Sequence, residues 1–113
     1  MAVVTEEPID VVLKALSDPT RRRVLERLGK GSASVSELAE PFAMALPSFL
    51  QHLGVLEQAG LVLSQKRGRI RTYRLQPGRL DVLDGWLARQ RSLWEQRLDQ
   101  LDAYLLTMKE DNA

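Results

Sequence analysis

The sequence predicts a mostly α-helical domain with one small β-hairpin and a long last helix. Three observations predict it. Apolar residues recur at helical spacing through most of the chain. In LVLSQKRGRIRTYRL, residues 61–75, the period drops from 3.6 to 2 around a basic tip that contains glycine. From Arg79 to Met108 a stripe of leucines with Trp94 returns at spacings of 3 and 4. A chain of 113 residues has room for one core, so residues 1–113 read as a single domain.

Each element has its own signal. Ile9, Val12, Leu13 and Leu16 give the first helix an apolar side. Asp18 is a favourable N-cap for the second, and Pro19 fits its first position, where a missing N–H costs nothing. Leu16, Val24, Leu25 and Leu28 form its apolar face, and Gly29 and Gly31 mark its stop. Ser34 and Glu37 have the spacing of a capping box, which announces a third helix. Leu38, Ala39 and Phe42 give that helix a buried side, and Pro41 limits it to about two turns.

After a tight break at Ala43 to Ala45, a fourth helix runs from Leu46 to Gln58 and closes at Gly60. Its Phe49, Leu53 and Leu56 form one apolar stripe, while Pro47, Ser48, Gln51, Gly54 and Glu57 fall outside it. In the hairpin, Leu61 and Leu63 alternate on the first strand, and Ile70, Tyr73 and Leu75 are the expected packed residues of the second. Lys66, Arg67, Gly68 and Arg69 make the tip, and QPGR makes a turn. The last helix, residues 79–108, carries Leu80, Leu83, Leu87, Trp94, Leu98, Leu101 and Leu105, with one double step over Gln90. At about 1.5 Å per residue it is roughly 43 Å long.

Composition excludes several functions. There is no cysteine, which removes disulfides, thiolate metal sites and thiol redox sensing. His52 is the single histidine, so zinc sites and histidine-based catalysis lack parts, and no phosphate-binding glycine loop follows a strand. An enzyme is not expected, nor a cofactor. The opening MAVVTEEPID has acids and no basic, apolar leader pattern, and no stretch reaches the roughly 18 apolar residues of a membrane span. The reading is a cytoplasmic protein without a membrane partner.

The net charge of +1 hides a strong asymmetry. Residues 17–79 hold eleven Lys and Arg against five acids, a net of +6, between segments of −2 and −3. A basic middle suits a polyanion, although basic residues also simply solvate a surface. A short helix, a turn, an amphipathic helix and a basic hairpin make a winged helix-turn-helix. In such a fold the 46–58 helix enters the major groove, ~12 Å wide, while the wing reaches neighbouring phosphates or the minor groove.

The stretches ALSDPTRRRVLERLGKG, SVSELAEPFAMALPSFLQHLGVLEQAGLV and RGRIRTYRL resemble the ArsR-type transcriptional regulators of bacteria and archaea. The resemblance runs from about Asp10 to Leu80, and LSDPTRR and QHLGVLEQAGLV are its most specific parts. It implies a homodimeric repressor on double-stranded DNA of dyad symmetry, with the first and last helices as dimer interface. Residues 9–78 are then the DNA-binding core and residues 79–108 the dimerisation helix. Leu46, Pro47, Ser48, Leu50 and Gln51 match the exposed side of the family's recognition helix, and His52 with Leu53 its HL pair. Gln51 suits a bidentate contact to adenine, Ser48 a base edge or phosphate, and Leu46 and Leu50 thymine methyls. His52 suits either a phosphate contact or a packing role. Lys66, Arg67, Arg69 and Arg71 are the expected wing contacts.

Three positions depart from the pattern. Ala45 stands where many members carry a capping serine, Leu50 where many carry a small polar residue, and Gly54 where a basic one is frequent. The metal-sensing members use cysteines on the third helix or His and carboxylates on the last. Here the third helix reads SELAEPFAM and the last has no histidine, so the chain resembles the non-metal-sensing branch and names no effector. Asp81, Asp84, Asp99 and Asp102 fit a solvated helix face better than an ion site.

The leucine stripe of the last helix exceeds what a small winged domain covers, so a second chain is expected on it. Leu13, Leu80, Leu83, Leu87, Trp94, Leu98, Leu101 and Leu105 are the expected interface. Two recognition helices ~34 Å apart then meet two half-sites. The competing function is a winged-helix protein-interaction module that docks a partner on Leu46 and Leu50.

Overall fold

Side-chain caps place the early helices. The computed structural model of the chain describes residues 7–111. Most of the opening stretch that argues against a leader lies outside the described residues. Helix α1 (Pro8–Leu16) starts with the Glu7 amide donating to Asp10 Oδ2 at 3.0 Å. Helix α2 (Pro19–Leu28) starts on Asp18, whose Oδ1 accepts from the amides of Thr20 and Arg21 at 2.8 and 3.2 Å. Helix α3 (Val35–Ala39) starts on the expected capping box, the Glu37 amide donating to Ser34 Oγ at 3.2 Å. It has five residues, short of the two turns expected.

Helix α4 (Leu46–Gln58) has no side-chain cap at Ala45 but a definite stop. Gly60, at φ +74°, takes the left-handed position after the helix. Its amide donates to Glu57 O and that of Leu61 to Leu56 O, both at 3.0 Å, the Schellman pattern. Leu56 and Leu61 are both buried, which adds the apolar contact that accompanies this pattern. A Cβ at Gly60 would stand 2.8 Å from Arg79 Cγ, so space as well as φ favours glycine here.

The wing contains a strand that the sequence did not announce. Strands β1 (Ala33–Ser34), β2 (Val62–Arg67) and β3 (Ile70–Leu75) form an antiparallel sheet in the order β1-β3-β2. Ala33 pairs with Tyr73 and Ser34 with Thr72. The expected two-stranded wing is therefore the outer part of a three-stranded sheet. The turn is Gly68-Arg69, with φ +61° at the glycine, which the first position of a tight hairpin turn requires.

The inward phase of the strands also needs correction. Val62 and Tyr73 are buried, whereas Leu63 is 36% and Ile70 61% exposed. Leu61 is buried as part of the α4 cap, one residue before β2 begins, so it does not set the strand's alternation. After a single 3-10 turn at Pro77–Arg79, helix α5 (Leu80–Asp111) runs for 32 residues, three beyond the expected Met108.

The core gathers Val12 and Ala15 of α1, Val24 and Leu28 of α2, Leu38 of α3, and Phe49, Leu53 and Leu56 of α4 beneath Val62 and Tyr73. Burying a Leu or Phe side chain contributes roughly 1.5–3 kcal/mol each. The α4 stripe therefore holds this helix while its other side stays free. Phe42 packs on Phe49 with ring centroids 5.4 Å apart, which fixes the turn between α3 and α4. The described chain falls into two compact units, one ending at Leu83 and one beginning at Asp84.

Candidate nucleic-acid interface

The outward side of α4 follows from its buried side. Opposite Phe49, Leu53 and Leu56 lie Pro47, Gln51, Gly54 and Gln58, at i, i+4, i+7 and i+11. Leu46, Pro47, Ser48, Leu50 and Gln51 are all exposed, as their expected role requires. Leu46 is 52% and Leu50 43% exposed, so both large apolar side chains face solvent. Between Leu46 and Leu56 there is no Asp, Glu, Lys or Arg, and His52 is the one ionisable side chain. Nothing lies within 4 Å of a Cβ placed at Gly54, so the backbone is open at the middle of this face.

His52 sits at the edge of the face and is held from behind. Arg21 Nη1 lies 3.0 Å from His52 Nδ1. A guanidinium only donates, so Nδ1 accepts and the ring proton sits on Nε2. The same guanidinium donates through Nε to Ala15 O at 2.7 Å and through Nη2 to Lys14 O at 3.0 Å. Arg22 Nη1 donates to Leu16 O at 2.7 Å. Two arginines of α2 thus satisfy the last carbonyls of α1, where the helix dipole favours positive charge. The packing role and the phosphate role of His52 are compatible: Nδ1 is engaged, and Nε2–H remains as a donor.

Asp18 completes this joint, with Oδ1 3.9 Å from His52 Nδ1. Burial pushes its carboxyl up, but the amide hydrogen bonds of Arg21 and Thr20 and the charge of the Arg21 guanidinium outweigh that, and it is held below the usual value.

On the wing, register sorts the basic residues. Val62↔Leu75, Ser64↔Tyr73 and Lys66↔Arg71 share the face that continues the core, while Arg67 pairs with Ile70 on the other. Lys66 and Arg71 are therefore directly opposed like charges, an arrangement that costs stability without an anion between them. Ser64 Oγ donates to Glu57 Oε1 at 2.8 Å, and Arg71 Nη1 donates to Ser64 Oγ at 2.8 Å. Burial raises the Tyr73 phenol above its usual value, and the Glu57 charge adds to the shift. Arg69 stands in the turn and, like Lys66 and Arg67, is exposed.

Not all of the basic middle is available to a ligand. Arg21 and Arg22 serve carbonyls, and Arg27 bonds Gly31 O at 3.1 Å and lies 3.6 Å from Glu37. Arg21, Ser64 and Glu57 are the participants that sequence reasoning missed. An arginine in the first turn after an Asp-Pro start, just behind another helix's C-terminus, was a readable signal for Arg21. Glu57 and Ser64 meet only because Gly60 reverses the chain, and no local pattern announces that.

The expected dimer residues divide. Leu80 and Leu83 are half-buried against the core of their own chain. Leu13 on α1 is exposed, as are Leu87, Trp94, Leu98, Leu101 and Leu105 on α5. No described helix is long and apolar enough to cross a membrane.

Residues 16–65 match a family profile described as a helix-turn-helix domain. The chain is 36% identical over 76 residues to the transcriptional repressor SdpR of Bacillus subtilis (strain 168), covering 67% of this chain and 84% of the relative. It resembles the crystal structure of an ArsR family transcriptional regulator with a TM-score of 0.78 and 46% identity, over 83% of this chain and 97% of that one. It also resembles the solution structure of the homodimeric winged helix-turn-helix DNA-binding domain Mb0332 from Mycobacterium bovis, with a TM-score of 0.59 and 28% identity, over 74% and 81% of the two chains.

Proposed function

The chain belongs to the ArsR family of winged helix-turn-helix transcriptional regulators, and from that premise we propose that it acts as a homodimeric repressor on a dyad-symmetric operator. Helix α4 lies in the major groove. Gln51 and Ser48 read base edges, Leu46 and Leu50 touch thymine methyls, and Pro47 lines the approach. His52 donates from Nε2 to a phosphate. Lys66, Arg67, Arg69 and Arg71 contact the flanking backbone. In this reading residues 9–78 are the DNA-binding core of one domain and residues 79–108 its dimerisation helix. A second copy covers Leu13 and the exposed stripe of α5. The protein works in the cytoplasm, without a cofactor and without catalysis.

One observation carries the reading. Lys66 and Arg71 are paired across the wing on the face that also touches α4. Opposed like charges beside an exposed helix face that carries no Asp, Glu, Lys or Arg from Leu46 to Leu56 suit an anionic backbone that runs next to base edges.

The test is fluorescence anisotropy of the protein on the DNA upstream of its own gene and on a scrambled duplex, across a salt series. The expected result is tight, salt-sensitive and selective binding. Arg69→Ala weakens both duplexes alike and flattens the salt slope, whereas Gln51→Ala removes preference at one base pair per half-site, roughly 1–3 kcal/mol. Uniform loss in both variants overturns the recognition-helix assignment. No binding to either duplex brings forward a protein partner docked on Leu46 and Leu50.

A further inference from the structure

Arg71 does not point from the wing as a free cation. Its Nη1 donates to Ser64 Oγ at 2.8 Å, and that hydroxyl donates onward to Glu57 Oε1 at 2.8 Å. Glu57 lies in the last turn of α4, Ser64 on β2 and Arg71 on β3. The chain of two hydrogen bonds therefore joins the end of one element to both strands of the other. No direct ion pair between Glu57 and Arg71 is formed among the described residues; the hydroxyl transmits the orientation.

A single Arg on a strand otherwise samples many rotamers, and a contact to DNA must offset their loss. Here the loss is taken in the free protein. The relay also selects which guanidinium nitrogens remain: Nη1 is engaged, and the Nη2 and Nε edge keeps its donors for a bidentate contact. Glu57 cannot itself contact a phosphate favourably, since both are anionic. Its position at the wing end of α4 makes sense through Ser64 and Arg71.

We propose that Glu57 and Ser64 are positioning residues that aim Arg71 at a DNA phosphate and fix the angle between α4 and the wing. The inference rests on the DNA-binding reading above. It assigns a task to two residues outside the set proposed to contact DNA.

The experiment is a double-mutant cycle on Ser64 and Arg71, read by anisotropy on the upstream and scrambled duplexes, with thermal midpoints recorded for each variant. Ser64→Ala weakens binding to both duplexes about 3- to 10-fold, within the worth of one ordinary hydrogen bond, at an unchanged midpoint. Ser64→Thr, which keeps the hydroxyl, restores binding. In an Arg71→Ala background, Ser64→Ala has no further effect. Glu57→Leu binds more weakly than the charge-matched Glu57→Gln, which keeps an oxygen for the hydroxyl.

Independent losses for Ser64→Ala and Arg71→Ala overturn the relay, as does native-like binding by Ser64→Ala. A native chain that binds neither duplex overturns the DNA-binding reading itself, which is a distinct result. A readout without DNA completes the set. Side-chain ¹⁵N spectra show slow exchange at the Arg71 guanidinium in the native chain and its loss in Ser64→Ala. Fast exchange in both overturns the proposal.

Discussion

Arg21 Nη1 meets His52 Nδ1 at 3.0 Å, while the rest of the guanidinium holds the carbonyls of Lys14 and Ala15. One side chain of α2 therefore binds the end of α1 to the exposed edge of α4. Leu13, an exposed residue expected at the dimer interface, lies immediately before those carbonyls.

The Arg21–His52 bond sets the first prediction. Arg21→Ala leaves the Ala15 carbonyl and one ring nitrogen without their donor, while Lys14 O keeps the amide and hydroxyl of Ser17. The expected loss is about 2 kcal/mol, since hydrogen bonds from a charged donor contribute most when part-buried. Urea unfolding measures it. Arg21→Lys recovers only part, because an ammonium cannot span three acceptors in one plane. In a His52→Ala background the loss from Arg21→Ala shrinks, and equal losses in both backgrounds count against the coupling.

Asp18 gives a pH dependence with a definite sign. Burial pushes its carboxyl up, but the amides it caps and the Arg21 guanidinium beside it outweigh that and hold it below its ordinary value of 3.8. A depressed folded value means stability that is present above 3.8 and lost as pH falls through the folded value. Asp18→Ala is expected to cost about 1 kcal/mol near neutral pH, within the N-cap range. That gap stays level from about pH 5 upward and closes below about pH 4. Urea midpoints of the two proteins at several pH values check it; a gap that widens in acid reverses the sign and defeats the assignment.

Gly54 separates stability from binding. It lies in a regular helix, and a Cβ there meets nothing within 4 Å. Gly54→Ala should therefore stabilise the protein by about 0.5–1 kcal/mol. The same methyl stands in the middle of the outward face, where the helix backbone approaches DNA in the proposed reading. Affinity for the upstream duplex is expected to fall while the thermal midpoint rises. A variant that gains in both places another part of the surface against the groove.

Local chemistry was legible in the sequence, and distant pairing was not. Asp18, the Ser34–Glu37 box and Gly60 each act within a few residues, so their helix ends were readable as written. Helical period alone set Pro47, Ser48 and Gln51 apart from the buried stripe, while the exposure of Leu46 and Leu50 followed from the family resemblance. The strand phase was misread because Leu61 looks like the first strand residue but belongs to the α4 cap, and the true inward residue is Val62. Strand β1 has two residues and no pattern of its own; only Tyr73 and Thr72 make it a strand. Within the site, the outward residues of α4 and the wing arginines were readable by type. What orients His52 and Arg71 was not, because Arg21, Ser64 and Glu57 reach them through the fold.

The pairing of Ala33 and Ser34 with Tyr73 and Thr72 also bears on the order of assembly. It closes a loop that contains α3, α4 and β2, and its two residues return few hydrogen bonds for that closure. Contacts so remote in sequence cost the most closure entropy, so β1 is expected to dock late, onto a hairpin already made. Interactions absent from the folding transition state act on the unfolding rate. Strand β1 is then expected to act as a brake on escape from the native state: in stopped-flow folding and unfolding, weakening it raises the unfolding rate and leaves the folding rate nearly unchanged.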